Sequence, residues 1–125
     1  PANAASPVNT QARAMPAALY FDYLGVRLDG IRAQGKTLDL LFRLTDTQEG
    51  WELHLANSVL TARRADRDRR APLLTCTRLQ MMALFEGRLT PEQAVQQGLL
   101  QNAAPVKELL SLLDSFRPDF QLVLP

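Results

Sequence analysis

With one cysteine, one histidine, one tryptophan and only 6% aromatic residues, this chain of 125 residues has little from which to build a reaction centre. Cys76 has no second cysteine to pair with, and its place beside Leu74 in a strand pattern makes it a buried thiol rather than a nucleophile. His54 alone cannot supply the three or four nitrogen and sulfur ligands of an ordinary zinc site, so no cofactor is expected in this chain. An excess of either charge is also missing: fourteen basic residues face thirteen acidic ones, for a net charge of +1. Nucleic-acid binders need a basic face and stacking aromatics, and this composition argues against one. No run of about eighteen apolar residues occurs, which argues against a membrane-spanning helix. The chain starts at Pro1, not Met, without a cationic start followed by an apolar stretch. It reads as a fragment or processed product, whose compartment (periplasmic, secreted or cytoplasmic) is that of the parent protein.

Apolar residues are plentiful. At 46% hydrophobic, the chain can form one domain that buries about two thirds of its unfolded-chain surface. Residues 1–14 are small, polar and aperiodic, which reads as a flexible arm; the domain is expected over 15–125. Pro16 opens a helical stretch in which Leu19, Tyr20, Tyr23, Leu24 and Leu28 share a face, with Phe21 partly outside it, and Asp29-Gly30 ends it. Alternation then predicts a strand over 36–45 with Leu38, Leu40, Phe42 and Leu44 inward, and a partner carrying Trp51, Leu53 and Leu55. Asn57-Ser58 turns into a third strand over 59–64. A charged loop, ADRDRR, leads to a fourth over 73–77, and the short connections predict an antiparallel meander.

The period then changes. Thr77 with Gln80, and Thr90 with Gln93 behind Pro91, are capping boxes opening two short helices that Gly87 and Gly98 close. Residues 99–103 read as briefly extended. A leucine helix is expected from Pro105 to about Phe116, with Leu109, Leu112, Leu113 and Phe116 at i, i+3, i+4 and i+7. Phe120, Leu122 and Leu124 alternate beyond Pro118 as a closing fifth strand. The order predicts an α+β layer, a mainly antiparallel sheet of about five strands with helices gathered on one face.

Several patterns tempt a chemical reading. Gly30-Ile31-Arg32-Ala33-Gln34-Gly35-Lys36-Thr37 matches the P-loop expression, but a phosphate cradle lies between a strand and a helix N-terminus, and this match follows a helix and runs into a strand. His54 has no G-x-S-x-G serine to serve. Arg63, Arg64, Arg67, Arg69 and Arg70 are interleaved with Asp66 and Asp68, so part of that run's charge is neutralised within it, and a solvated loop is expected. Left over is apolar surface: Leu40, Phe42, Leu53, Leu55 and Leu74 on the sheet face Met81, Met82, Phe85, Leu109, Leu112, Leu113 and Phe116 on the helices. Flexible methionines and phenylalanines line adaptable apolar cavities as readily as they fill packed cores, and composition leaves both open.

The runs ALYFDYLGVRLDG (residues 18–30), LHLANSVLT (53–61), TCTR (75–78), EGRLTPEQAVQQG (86–98) and the terminal LLSLLDSFRPDFQLVLP, in this order, resemble the C-terminal domain of bacterial alkyl sulfatases. The resemblance implies a sterol carrier protein type 2-like fold, a five-stranded sheet covered by helices over an apolar tunnel, lined here by the twelve residues just named. It implies a metallo-β-lactamase-like catalytic domain that holds zinc elsewhere in the parent, and a domain that binds a long-chain alkyl amphiphile or lipid without being an enzyme itself. The histidine-rich metal motif of the catalytic domain has no counterpart in this chain. Gln101-Asn102-Ala103-Ala104-Pro105 stands where the family carries a glycine-containing turn. The alternative is a fully packed assembly module, acting through the outer sheet face or the arm, a homodimer included.

Overall fold

Alternation of leucine with polar residues, bounded by tight turns, produces three strands in succession: β1 (Leu38–Leu44), β2 (Glu49–Ala56) and β3 (Val59–Arg64). The computed structural model describes residues 15–114. The predicted arm, Phe116 and the predicted closing strand lie outside the described residues. β1 and β2 pair antiparallel with Leu40 opposite Leu53 and Phe42 opposite Trp51, and β3 joins β2 with Leu53 opposite Ala62. Asn57 and Ser58 both take positive φ, 53° and 61°, the left-handed pair that a two-residue hairpin turn demands.

β4 (Leu74–Cys76) departs from the expected meander. The sheet order is β3-β2-β1-β4, and β4 lies parallel to β1, with Phe42 beside Leu74 and Leu44 beside Cys76. The physical reason lies in the arginine-rich connection. Its nine residues (65–73) are long enough to cross the sheet, and they are tied down on the way: Ala65 N–H donates to Gly50 O (2.8 Å), Arg70 reaches Glu52 on β2 (3.0 Å), and Leu73 N–H donates to Leu41 O on β1 (2.8 Å). The described sheet is therefore four-stranded and mixed. Leu100 extends the β4 edge by a single antiparallel bridge to Leu74.

Helices cover one face, as expected. α1 (Ala17–Arg27) buries Tyr20, Phe21, Tyr23 and Leu24. Its buried stripe is rotated from the predicted one: Leu19 is 38% exposed and Phe21 only 3%, because the Phe21 ring meets Phe42 (6.2 Å between centroids) and Trp51 (5.1 Å). α2 (Arg78–Phe85) and α3 (Pro91–Gln96) both begin with the complete capping box read from the sequence. Gly87 and Gly98 follow them at positive φ, the conformation that ends a helix most cheaply in glycine.

α4 spans Ala103–Ser111, starting two residues before Pro105 on an Asn102 side-chain cap and stopping well short of the predicted end. Backbone pairing accounts for the early stop. Asp29 N–H donates to Leu112 O (2.8 Å), Leu113 bridges Leu28, and Asp114 N–H donates to Arg27 O (2.7 Å), so the chain is drawn out of the helix into a short ladder against the end of α1.

Candidate functional site

The inner sheet face and the helices enclose one apolar layer. Leu40 and Phe42 of β1, Leu53 of β2 and Leu74 of β4 meet Met81, Met82 and Phe85 of α2, Leu109 of α4, and Leu113, all between 0 and 4% exposed and all in one buried cluster. Helical spacing on α2 puts three of the large side chains on the sheet together, and the Phe42 and Phe85 rings lie 6.1 Å apart. Leu55 and Leu112 are also buried, but with Ala33 they form a smaller separate cluster beneath the turn after α1, joined to the larger one through Leu28, Leu38 and Leu60. The single helical stripe expected for Leu109, Leu112 and Leu113 is therefore broken: Leu112 and Leu113 are buried from the ladder, not from α4.

Residues that the sequence did not assign to this layer also line it. Tyr20 and Phe21 come from α1, Trp51 from β2, Leu84 from α2 and Val106 from α4. Val106, three residues before Leu109, carried a usable periodic signal. Phe21 did not, since it lies at the edge of the predicted face.

Charge is kept out of the layer. Glu52 is the one buried charged residue among the described residues, and it lies on the outer sheet face, held by Arg63 (2.6 Å) and Arg70 (3.0 Å). Its carboxyl is held below the ordinary range by the Arg70 and Arg63 hydrogen bonds. Elsewhere in the run Arg64 pairs with Asp66, and Arg70 also holds Asp68, whose pKa falls to about 2 through the Arg70 hydrogen bond. Its loop borders an open groove of about 430 Å³ in which Arg63, Arg64 and Arg67 alternate with Asp66 and Asp68. His54 sits on the same outer face, against Asp39 across the β1–β2 pair, on the side of the sheet away from the apolar layer. Burial pushes the Cys76 thiol up to about 12, with Asp46 adding to it, so the sulfur stays protonated and unreactive.

The P-loop-like stretch is a turn that satisfies itself. The Asp29 carboxylate accepts from the Ile31 N–H (3.0 Å) and the Arg32 N–H (3.2 Å), so a negative charge already occupies the amides a phosphate would need. Among the described residues no three His, Cys, Asp or Glu side chains converge as a metal site would require, and no described helix is long and apolar enough to cross a membrane.

At the end of α2 one residue joins three elements. Arg27 donates through Nη1 to Phe85 O (3.0 Å) and through Nε and Nη2 to Asp114 O (3.1 and 2.8 Å), while its guanidinium stands over the Tyr23 ring. Arg32 completes the clasp by reaching Ser111 O (2.8 Å) and Asp114.

Comparison with known proteins gives this architecture a family. Residues 5–125 match the family described as alkyl sulfatase C-terminal. The chain is 30% identical over 117 residues to an (R)-specific secondary-alkylsulfatase of a Pseudomonas species, covering 90% of this chain and 18% of that protein. The solved structure of a stereoselective inverting sec-alkylsulfatase from Pseudomonas superposes with a TM-score of 0.73 at 29% identity, and that of a double mutant of a sec-alkylsulfatase with 0.70 at 29%. In both, the match covers 90% of this chain and 18% of the larger one, so this chain spans about a fifth of the length of the proteins it resembles. Its α+β fold with the helices on one sheet face, and a match that runs over nearly the whole chain, show that it belongs to the alkyl sulfatase C-terminal family.

Proposed function

We propose that this domain holds the hydrocarbon part of an amphiphile and presents an alkyl sulfate to a zinc-dependent, metallo-β-lactamase-like catalytic domain of a parent sulfatase. The observation that carries the reading is the position of Met81, Met82 and Phe85: three large, adaptable side chains on one eight-residue helix, pressed on Leu40, Phe42, Leu53 and Leu74, with the buried charge on the opposite sheet face. Such a layer can repack around an alkyl chain without leaving a charge desolvated. In this reading sulfate-ester hydrolysis and the zinc belong to the catalytic domain, and the sterol-carrier-like apolar tunnel is what this domain contributes.

The test is displacement of a fluorescent fatty acid by alkyl sulfates of increasing length, each below its micelle concentration. Every added methylene is expected to contribute up to about 0.8 kcal/mol until the layer is filled, after which affinity levels off. No displacement at any length from a folded protein would remove the reading and leave the packed assembly module.

A further inference from the structure

Among the described residues two buried side-chain polar atoms have no hydrogen-bond partner: Thr47 Oγ1 in the β1–β2 turn, and the hydroxyl of Tyr20. The second is in the wrong place for a merely structural group. Tyr20 is 2% exposed and belongs to the same cluster as Met81, Met82, Phe85 and Leu109, so its oxygen is cut off from water. A hydroxyl taken from water without a compensating hydrogen bond opposes folding, and a phenylalanine would fill nearly the same volume without that cost.

The surroundings have a direction. Burial raises the Tyr20 pKa far above its ordinary value, and the nearby Glu86 raises it further, so the group is a permanent O–H donor. The cations on this side are Arg27, whose guanidinium stands over the Tyr23 ring, itself 5.7 Å from the Tyr20 ring, and Arg88, just past the end of α2. Arg27 is anchored to Phe85 O and Arg88 to Glu86 (2.7 Å), at the end of α2 where the apolar layer meets charge. Tyr20 therefore stands beside the charged end of the layer and shares one buried cluster with Met81, Met82 and Leu109.

Resting on the amphiphile-binding reading, we propose that the Tyr20 hydroxyl fixes the head end of a bound single-chain amphiphile, donating to the oxygen that joins head to chain while the head lies toward Arg27 and Arg88. The hydrocarbon then runs inward among Met81, Met82 and Leu109. The ligand class this selects is an oxygen-headed chain over a plain hydrocarbon of equal length.

Tyr20→Phe tests it with two probes of similar length, decan-1-ol and 1-chlorodecane, in the fluorescent fatty acid displacement assay on this chain. The expected result is a loss of about fivefold in affinity for decan-1-ol, the worth of one neutral hydrogen bond, no loss for 1-chlorodecane, and a melting temperature equal to or above that of the wild type. Equal losses for both probes would show a packing change and overturn the assignment. So would a melting temperature several degrees lower, because the hydroxyl would then have a partner in the free protein. Wild-type binding of both probes with no effect of the substitution overturns the role of Tyr20 alone. Binding of neither probe by the folded wild type overturns the amphiphile reading and this assignment with it.

Discussion

Replacing Phe42 with alanine measures how tightly the apolar layer is closed. Phe42 is 0% exposed on β1, the strand flanked on both sides, with Trp51 opposite it on β2 and Leu74 beside it on β4. Its ring contacts Phe21 at 6.2 Å and Phe85 at 6.1 Å, so truncation removes contacts to a helix at each side of the sheet's centre. Phenylalanine-to-alanine changes in cores cost about 3–5 kcal/mol, and two aromatic pairs worth about 0.5–1.5 kcal/mol each place this one toward the upper end, about 4–5 kcal/mol. An unfolding entropy of about 2.1 cal/mol/K per residue gives about 0.2 kcal/mol/K for a body of about 100 residues, so the melting temperature should fall by about 20 °C. Circular dichroism melts and urea titration of Phe42→Ala and of a control, Val59→Ala, check this. Val59 is 56% exposed, and its substitution should change stability by no more than about 0.5 kcal/mol. A drop of less than about 5 °C for Phe42→Ala at an unchanged urea slope would refute a layer closed on that ring.

Lys36→Ala should leave stability within about 0.5 kcal/mol and reveal no nucleotide binding to lose, because Lys36 is exposed at the head of β1 and Asp29 already occupies the neighbouring amides; saturable nucleotide binding abolished by the substitution would contradict this. Acid should weaken the fold in a definite window. Glu52, Asp66 and Asp68 have folded pKa values below their unfolded ones, near 4, so their stabilisation is complete above about pH 5 and is lost as pH falls through the folded values, for Asp68 about 2. Melts between pH 7 and pH 2.5 follow the loss. Glu52→Gln should start lower at pH 7, since Arg63 and Arg70 lose their shared carboxylate, and fall less on acidification; a melting temperature flat with pH in the wild type would count against the pairing.

Features set by a few neighbouring residues were legible in the sequence. Thr77 with Gln80 and Thr90 with Gln93 cap because a side chain three residues along can reach the free amides whatever lies elsewhere in the chain. The alternation of Leu38, Leu40, Phe42 and Leu44 likewise determined the inner face of β1, and with it most of the apolar layer. What escaped was decided at long range. The parallel seat of β4 goes with a loop held to Gly50, Glu52 and Leu41, residues far from it in sequence. The early end of α4 depends on α1 offering Arg27, Leu28 and Asp29 to residues 112–114, and periodicity over 105–116 carries no trace of that partner. The burial of Phe21 in place of Leu19 reflects the aromatic neighbours Phe42 and Trp51, which a helical wheel cannot weigh.

The clasp between the end of α1 and the segment after α4 also bears on how the chain folds. Its contacts join residues 87 apart in sequence, whereas the β1–β2–β3 hairpins close over a few residues each. Loop-closure entropy grows with the length enclosed, so the hairpins can form early and cheaply while the Arg27–Asp114 contact gains little until β4, α2, α3 and α4 have shortened the path between its ends. On a ribosome the order is enforced: α1 and the three-stranded core emerge first, and their apolar face is covered only in part, by α1, until α2 and α4 have been made. The nascent domain is thus most exposed to aggregation, and most in need of a chaperone, in the interval between the completion of β3 and the arrival of the segment that Arg27 grips.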